Sequence, residues 1–293
     1  MTVRVQVAHD LGHSGSGGCT GLGGTCRATT PSQSAALTPG LYWATMAGLP
    51  KIALHTTSPI WGLPSNSPAC AKLETWLRMA GVPYDIPPLE FDKAPKGKIP
   101  FIVDGDKWMG DSSLIIRHIE STRGVSLDGE LSARDQAISL AFRRMLKEND
   151  YWGLTHSRYF VEENWAEYRK LLGVAFVPDG PEAVGLEVAE GYKQNMAATM
   201  QAHGIGRHTT SELEAIVIED IQAVSELLGD RTWMMGGDSP TTLDATVFGY
   251  VGNFIAHPFD DPITRYARSR TNIAALCDRI RERYFPELSA SRA

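Results

Sequence analysis

The stretch between residues 98 and 113 restricts the fold more than any other part of the chain. It reads KIPFIVDGDKWMGDSS, and two short runs, 101–103 and 107–109, flank Asp104-Gly105. Glycine tolerates the positive φ that a tight hairpin turn requires, so the two runs are predicted to pair as adjacent strands. Asp111-Ser112 follows at once and precedes the helix-like run SLIIRHIESTR, which ends at Gly124. The segment therefore predicts a strand, a turn, a strand and a helix in close succession.

A strand and a helix are predicted upstream of this hairpin. The run KIALHTT, which begins at Lys51, suits a first strand, and Ser67-Pro68 suits a helix start because serine caps helices and proline fits their first position. The helix that follows has one apolar face with helical spacing, formed by Leu73, Trp76, Leu77 and Ala80. The run YDIPPLEF is predicted to be an edge strand, because two prolines cannot donate hydrogen bonds within a central strand.

The rest of the chain divides into a helical half and an amino-terminal extension. Residues 131–293 are predicted to form an all-helical domain, in which Thr209-x-x-Glu212 and Thr241-x-x-Asp244 have the pattern of helix capping boxes. Residues 49–125 are predicted to form a small mixed sheet with packed helices. Residues 1–48 are rich in Gly, Ser and Thr without strand or helix periodicity, which predicts a disordered extension.

Charge and cysteine content exclude several classes of function. The net charge of −6 and the lack of a basic stripe argue against nucleic-acid binding. No run approaches the roughly 20 apolar residues that a transmembrane helix needs. The four cysteines are Cys19, Cys26, Cys70 and Cys277, and they form no CxxC pair and no metal-ligand spacing with histidine. We therefore expect a reduced, cytoplasmic protein without a metal site.

Four motifs, in order along the chain, resemble those of the soluble glutathione S-transferase superfamily. They are Ser67-Pro68-Ala69-Cys70, Ile99-Pro100, Asp111-Ser112 and Thr241-x-x-Asp244. Within that superfamily, WGLPSNSPACAKLETWLRMAGVPY and PKGKIPFI are similar to the failed-axon-connections and metaxin branch. The resemblance implies a thioredoxin-like α/β domain followed by an all-α domain.

The resemblance also implies a glutathione site on the first domain. Ile99 before a cis-Pro100 would pair its main chain with the cysteinyl part of glutathione, and Asp111 and Ser112 would hold the γ-glutamyl group. Asp111 would pair with the ligand's ammonium. The alternative for Ser112 is a role as the helix cap, which is compatible with binding. Trp61 is a further candidate binding residue, because the loop after the first strand is longer than the family pattern.

Two residues at the first helix are candidates for catalysis. The Ser67 hydroxyl could stabilise a glutathione thiolate or serve only as a helix cap. Cys70, one turn into the helix, could be a thiolate favoured by the helix dipole, or a buried packing residue. Because the long loop makes the catalytic position ambiguous, Thr57 and Ser58 are alternatives.

The leading functional hypothesis is an enzyme that transfers the glutathione thiolate to a small electrophile, with glutathione as a substrate and no bound cofactor. Aromatic residues of the helical domain, either core residues or part of an electrophile pocket, are Trp152, Tyr159, Trp165 and Tyr168. The alternatives are a non-catalytic binding or scaffold protein, as the metaxin resemblance suggests, and a thiol-disulfide oxidoreductase that uses Cys70. Relatives of this kind are commonly dimers, so a homodimer is expected.

Overall fold

The amino-terminal part of the described chain is a four-stranded mixed sheet. The structure is a computed structural model, and it describes residues 50–289. The strands are β1 (Ile52–His55), β2 (Tyr84–Asp85), β3 (Phe101–Asp104) and β4 (Lys107–Gly110), in the order β2-β1-β3-β4. β1 pairs with β2 in parallel and with β3 in antiparallel orientation, and β3 pairs antiparallel with β4. The predicted hairpin is confirmed, with Gly105 at a φ of +61° in the turn.

Two helices connect and cover these strands. The first, α1 (Pro68–Met79), joins β1 to β2, and the second, α2 (Ser112–Arg123), follows β4. The predicted apolar face of α1 is confirmed, since Leu73, Trp76 and Leu77 are fully buried. Gly124 ends α2 in the left-handed conformation, as its position after the apolar run predicted.

The predicted edge strand over residues 84–91 is wrong in its length. Only Tyr84 and Asp85 pair with β1. Pro87 and Pro88 follow directly, and neither has an N–H to extend the ladder, so the pairing stops before them. Two single 3₁₀ turns, Phe91–Lys93 and Pro95–Gly97, lead from there to β3.

The second half of the described chain is helical. Its helices are α3 (Ala133–Met145), α4 (Tyr151–Tyr159), α5 (Glu162–Phe176), α6 (Glu182–His203), α7 (Thr210–Leu228), α8 (Thr242–Ala256), α9 (Pro262–Ser269), α10 (Thr271–Tyr284) and α11 (Pro286–Ser289). A π-helical turn, Leu146–Asp150, joins α3 to α4, and a 3₁₀ turn, Ile205–Arg207, follows α6. The predicted capping box of Thr209 and Glu212 is confirmed at the start of α7.

Helix α8 is the central element of the helical half and packs against α1. Every residue from Thr242 to Phe254 is buried. Gly249 allows the two helices to approach closely, because a Cβ there would lie 2.6 Å from the Pro68 carbonyl oxygen. Trp76 of α1 also donates its indole N–H to the Thr242 hydroxyl, at 3.2 Å. The sheet domain and the helical half therefore share an interface at α1 and α8.

The predicted capping box at the start of α8 is confirmed, and Asp244 is its buried member. The Asp244 carboxylate accepts hydrogen bonds from the Thr241 N–H at 2.7 Å and from the Met234 N–H at 2.8 Å. The expected structural role of Asp244 follows from these bonds.

The observed architecture confirms the expected fold class, a thioredoxin-like α/β domain followed by an all-α domain. The disordered extension was predicted for residues 1–48, which lie outside the described residues. The domain boundaries at residues 125 and 131 stay predictions. In the structure, residues 124–132 connect α2 to α3.

Candidate functional site

Ser67 stands at the first helix opening, and its hydroxyl does not cap the helix. The residue has the extended backbone of an N-cap, but its side chain accepts no hydrogen bond from the first turn of α1. Its own N–H donates to the Ser65 hydroxyl at 3.0 Å. The Ser65 hydroxyl in turn lies 2.5 Å from the Thr57 hydroxyl. The interpretation of Ser67 as a side-chain cap is therefore wrong. Three hydroxyl residues, Thr57, Ser65 and Ser67, lie close together at the amino-terminal end of α1.

Cys70 lies beneath these hydroxyls in the core. Its side chain is fully buried. Burial raises the pKa of the thiol, and the nearby Ser67 and Thr56 side chains only partly offset that effect. The expectation that the helix dipole favours a thiolate at Cys70 is therefore corrected, because desolvation opposes the charged form more strongly. The geometry gives the thiol of Cys70 the character of a packing residue.

Trp61 turns toward the helical half of the protein. Its backbone has a φ of 56°, which is uncommon for a bulky residue. Its ring meets Phe259 edge-on at a centroid distance of 5.6 Å, and the Arg158 guanidinium lies over it at 5.4 Å. Trp61 thus borders the junction between the two domains, and its predicted contact with glutathione stays a prediction.

The peptide bond between Ile99 and Pro100 is cis. Pro100 is buried, and Ile99 is partly exposed directly before β3. Within residues 50–289, no group forms a hydrogen bond with the main-chain N–H or carbonyl of Ile99. Because backbone polar groups are nearly always paired with protein or water, this position can accept an extended peptide.

Asp111 caps α2 and lies close to Ser112. Its carboxylate accepts hydrogen bonds from the Ser113 and Leu114 N–H groups, at 2.9 and 3.2 Å. The other oxygen lies 3.0 Å from the Lys147 ammonium. Partial burial tends to raise the pKa of Asp111, but Lys147 and the amides outweigh it and hold that pKa below its ordinary value.

The observed cap corrects the interpretation of Ser112 as the helix cap. Ser112 is the first residue of α2 and is buried, while Asp111 makes the cap with a φ of 78°. The predicted site residues Ile99 and Pro100 precede β3, whereas Asp111 and Ser112 follow β4, its hairpin partner. The hairpin register pairs Phe101 with Gly110 and so brings the two pairs of residues close together.

Arg158 is a site residue that sequence reasoning missed. It is only 4% exposed, although it lies on α4 and carries a permanent charge. One guanidinium nitrogen donates to the Asn66 carbonyl at 2.7 Å, and another donates to the Asn253 side-chain oxygen at 2.6 Å. The Asn66 carbonyl belongs to the peptide bond that leads into Ser67. Arg158 therefore fixes the loop before α1 to the helical half.

No local signal marks Arg158, because its partners are distant in sequence. The same holds for Lys72 of α1, which is 2% exposed and donates to the Ser113 hydroxyl at 3.0 Å. Both residues lie in helices whose hydrophobic periodicity predicts only which apolar residues face the core. Only the tertiary packing brings Arg158 to the amino-terminal end of α1 and Lys72 to that of α2.

The four aromatic residues of the helical half are buried, and one of them, Tyr168, contacts the loop before α1. Tyr168 accepts a hydrogen bond from the Asn66 side chain at 3.3 Å, and its ring lies 5.2 Å from that of Tyr159. Trp165 stacks on Tyr159, whereas Trp152 packs beside His203. The structure therefore separates Trp152 from the group that borders the loop.

Neither a metal-ion cluster nor a membrane-spanning helix occurs in the part of the chain that the structure describes. Within residues 50–289, no three His, Cys, Asp or Glu side chains gather in a way that could hold a metal ion. Across the same residues, no helix has the length and apolar character needed to span a bilayer.

Two family models match the chain. The model for the glutathione S-transferase N-terminal domain matches residues 68–165, and the model for the glutathione S-transferase C-terminal domain matches residues 217–280. Together they cover more than half of the chain, and they include α1, the cis-proline, the Asp111-Ser112 pair and the capping box of α8.

Curated proteins match over most of the chain. An isoprene-epoxide glutathione S-transferase of Rhodococcus sp. (strain AD45) is 28% identical, over 80% of this chain and 99% of the relative. Failed axon connections of Drosophila melanogaster is 30% identical over 77% of this chain, which spans 56% of that protein's length. Metaxin-3 of Xenopus laevis is 25% identical, over 77% of this chain and 74% of the relative.

Solved structures agree on the fold. The beta-etherase LigF from Sphingobium sp. strain SYK-6 superimposes with a TM-score of 0.53 at 14% identity, covering 83% of this chain and 100% of the other. At that identity the likeness concerns the fold alone. The two family models show that this chain belongs to the glutathione S-transferase superfamily, and its similarity to failed axon connections and metaxin-3 supports a metaxin-like branch.

Proposed function

We propose that this protein binds glutathione and transfers its thiolate to a small electrophile. The observation that carries the proposal is the main chain of Ile99, which no described residue engages and which stands directly before the cis-proline. An extended peptide can pair there as an added strand. At the start of α2, the N–H and hydroxyl of Ser112 offer donors to the peptide's acidic end, whereas the Ser113 and Leu114 N–H groups are bonded to Asp111.

Ser67 is the residue that we assign to the thiolate. Its hydroxyl is half-buried at the amino end of α1 and makes no capping bond with the helix. A hydroxyl donor and the positive end of a helix dipole both stabilise a sulfur anion. The enzyme would act by lowering the pKa of the glutathione thiol and by orienting the two reactants.

The electrophile that we propose is a small epoxide. This choice follows the Rhodococcus relative, which this chain matches over 99% of its length. The thiolate sulfur would attack a ring carbon, the sulfur–carbon bond would form as the carbon–oxygen bond breaks, and the oxygen would take a proton from water. Trp61 and Tyr168, whose rings each meet the Phe259 ring edge-on at the domain junction, would border the apolar reactant together with Phe259.

A conjugation assay tests the proposal. Purified protein, glutathione and a panel of small epoxides would be followed by mass detection of the thioether product. We expect conjugation by the wild type and a loss of about 100-fold in kcat with Ser67→Ala, because a thiolate-stabilising donor is removed. The matched control is Ser211→Ala, since Ser211 is an exposed serine in the first turn of α7 and is no candidate for catalysis. Equal activity of both variants would exclude the role of Ser67.

A binding or scaffold role is the second candidate function. It is favoured by two of the matched relatives, failed axon connections and metaxin-3, whose names describe no transferase. If the protein binds glutathione but conjugates no member of the panel, this role replaces the enzymatic one. The homodimer and the cytoplasmic location stay predictions under either function.

The thiol-disulfide alternative has less support. It requires a reactive Cys70 thiolate, whereas burial raises the pKa of that thiol. We therefore expect Cys70→Ala to retain conjugation. A glutathione-dependent disulfide reduction that Cys70→Ala abolishes would favour the redox role instead.

A further inference from the structure

Lys72 is a buried cation on the surface of α1 that faces α2 and α8. Lysine is almost never fully buried unless it is paired, yet Lys72 is 2% exposed. The close approach of α8 encloses it, because a Cβ on Gly249 would lie 2.8 Å from the Lys72 main-chain nitrogen. The sheet-domain helix thus carries a charged side chain into the domain interface.

The Lys72 ammonium points to the first turn of α2. It donates to the Ser113 hydroxyl at 3.0 Å. No carboxylate of residues 50–289 forms an ion pair with it, since the Asp111 carboxylate is paired with Lys147. An ammonium has three N–H donors, so one neutral hydroxyl leaves two of them unbonded. Among the residues that the structure describes, no ion pair compensates its charge, which Asp111 stabilises only from farther away.

The charged groups around Lys72 make an anion favourable there. Asp111 faces it from α2, Arg143 and Arg144 face it from α3, and Lys147 faces it from the π-helical turn. Helix α8 contributes the uncharged Gly249 and, next to it, Tyr250. Three of these four groups are cations and one is a carboxylate, although Arg143 is also paired with Asp128 at 3.6 Å.

We propose that Lys72 is the charge-compensating residue for the α-carboxylate of the γ-glutamyl group, which it supports through Ser113 at the first turn of α2. This inference rests on the proposed function, because it takes glutathione to lie along Ile99 and at the start of α2. Lys72 is then a positioning residue that acts through the Ser113 hydroxyl. It ties the affinity for the ligand to the charge state of one lysine.

The charge state of Lys72 supplies a measurable consequence. Burial, reinforced by Arg143, lowers the pKa of Lys72 to about 7 against the opposing effect of Asp111. A carboxylate bound nearby raises that pKa again, so binding draws a proton onto the lysine. Uptake is greatest between the pKa of the free protein and that of the complex. Affinity therefore falls as the pH rises above about 7.

The experiment is calorimetric titration of S-methylglutathione into the full chain. Methylation blocks the thiol, so its ionisation cannot release a proton that masks the uptake. With a pKa of about 7, we expect Kd to rise about fivefold from roughly pH 7 to roughly pH 8. Titrations at about pH 8 in two buffers of different ionisation enthalpy should give an uptake near 0.9 proton per site.

The test variant is Lys72→Met, which keeps the length of the side chain and removes its charge. We expect its proton uptake to vanish and its affinity near pH 7 to fall about tenfold, while its thermal stability stays equal or rises. The matched control is Lys51→Met, since Lys51 is an exposed lysine paired with Asp85 away from α2. That control should keep both the affinity and the proton uptake.

The outcomes separate this inference from the proposed function. If the wild type binds S-methylglutathione without proton uptake, and Lys72→Met binds equally well, the role of Lys72 is overturned while glutathione binding stands. If the wild type binds neither S-methylglutathione nor glutathione at any pH, both proposals fall. If Lys72→Met does not fold, the wild-type proton uptake decides alone.

Discussion

Replacing Gly249 by alanine tests the claim that close contact between α1 and α8 positions the candidate site. The added Cβ would lie 2.6 Å from the Pro68 carbonyl oxygen and 2.8 Å from the Lys72 main-chain nitrogen. Both are backbone atoms, so no flexible side chain can move away to relieve the contact. The helices must therefore separate. Because Ser67 directly precedes α1, this movement would also displace Ser67.

The magnitude follows from two opposing effects. Overpacking of a tight interface costs about 3 kcal/mol at contacts this short, while replacing glycine by alanine within a helix gains about 1 kcal/mol. The net expectation is a loss of about 2 kcal/mol in the free energy of unfolding. For a domain of this size, that loss lowers Tm by about 4–8 °C.

The matched control is Gly191→Ala in α6. Gly191 is also within a helix, but a Cβ there would have no atom within 4 Å. This variant should be more stable than the wild type by up to about 1 kcal/mol. Urea unfolding followed by circular dichroism measures both variants. If the two substitutions change stability in the same direction, the reasoning about the α1–α8 contact is refuted.

Three further predictions address single side chains. Burial raises the pKa of Asp244 from 3.8 to about 6, so the folded chain holds a proton that the unfolded chain has lost between these values, and stability falls as pH rises through that range. The unfolding free energy of the wild type should therefore fall by on the order of 3 kcal/mol between the two ends of this pH range, as urea unfolding would measure. Asp244→Asn cannot titrate, so its unfolding free energy should lack this fall. A variant with the same pH dependence as the wild type would contradict the prediction. Cys70, whose thiol pKa is raised by burial, should resist iodoacetamide in the native protein and react in urea, as peptide mapping would show; rapid native labelling would mean an accessible thiolate. Arg158→Lys should cost roughly 2 kcal/mol in unfolding free energy, because one ammonium cannot reproduce the guanidinium fork that bonds the Asn66 carbonyl; a cost near zero would show that the fork does not fix the loop.

The hairpin and the capping boxes were predictable because local chemistry determines them. Asp104-Gly105 supplies the turn conformation, and Thr209 with Glu212 satisfies helix-end amides within one turn. The predicted strand over 84–91 was too long because Pro87 and Pro88 end the pairing with β1, whereas the prediction used them only to place the strand at the sheet edge. The family motifs, in their order, were enough to predict the fold class.

The candidate site was predictable only in part. Ile99-Pro100 and Asp111-Ser112 could be named from motifs, because each pair stands at the boundary of a strand or helix. Arg158 could not, since it bonds to Asn66 and Asn253, whose distance along the chain leaves no local pattern.

The charge states of side chains near the amino-terminal ends of α1 and α2 could not be predicted from the sequence either. The effect of desolvation on a pKa depends on the whole surrounding fold. The position of a residue in a predicted helix gives only the effect of the helix dipole. The dipole argument therefore had the wrong sign for Cys70, where burial raises the pKa. It gave no reason to single out Lys72, whose pKa burial lowers to about 7.

Calorimetric titration of glutathione into the wild type and Asp111→Ala tests the central claim most directly. We expect one molecule to bind per chain, and we expect the variant, which loses the carboxylate that caps α2 and pairs with Lys147, to lose that binding. No heat of binding with the wild type, or equal affinity in the variant, would contradict the assignment of glutathione to the site beside Ile99-Pro100 and Asp111-Ser112.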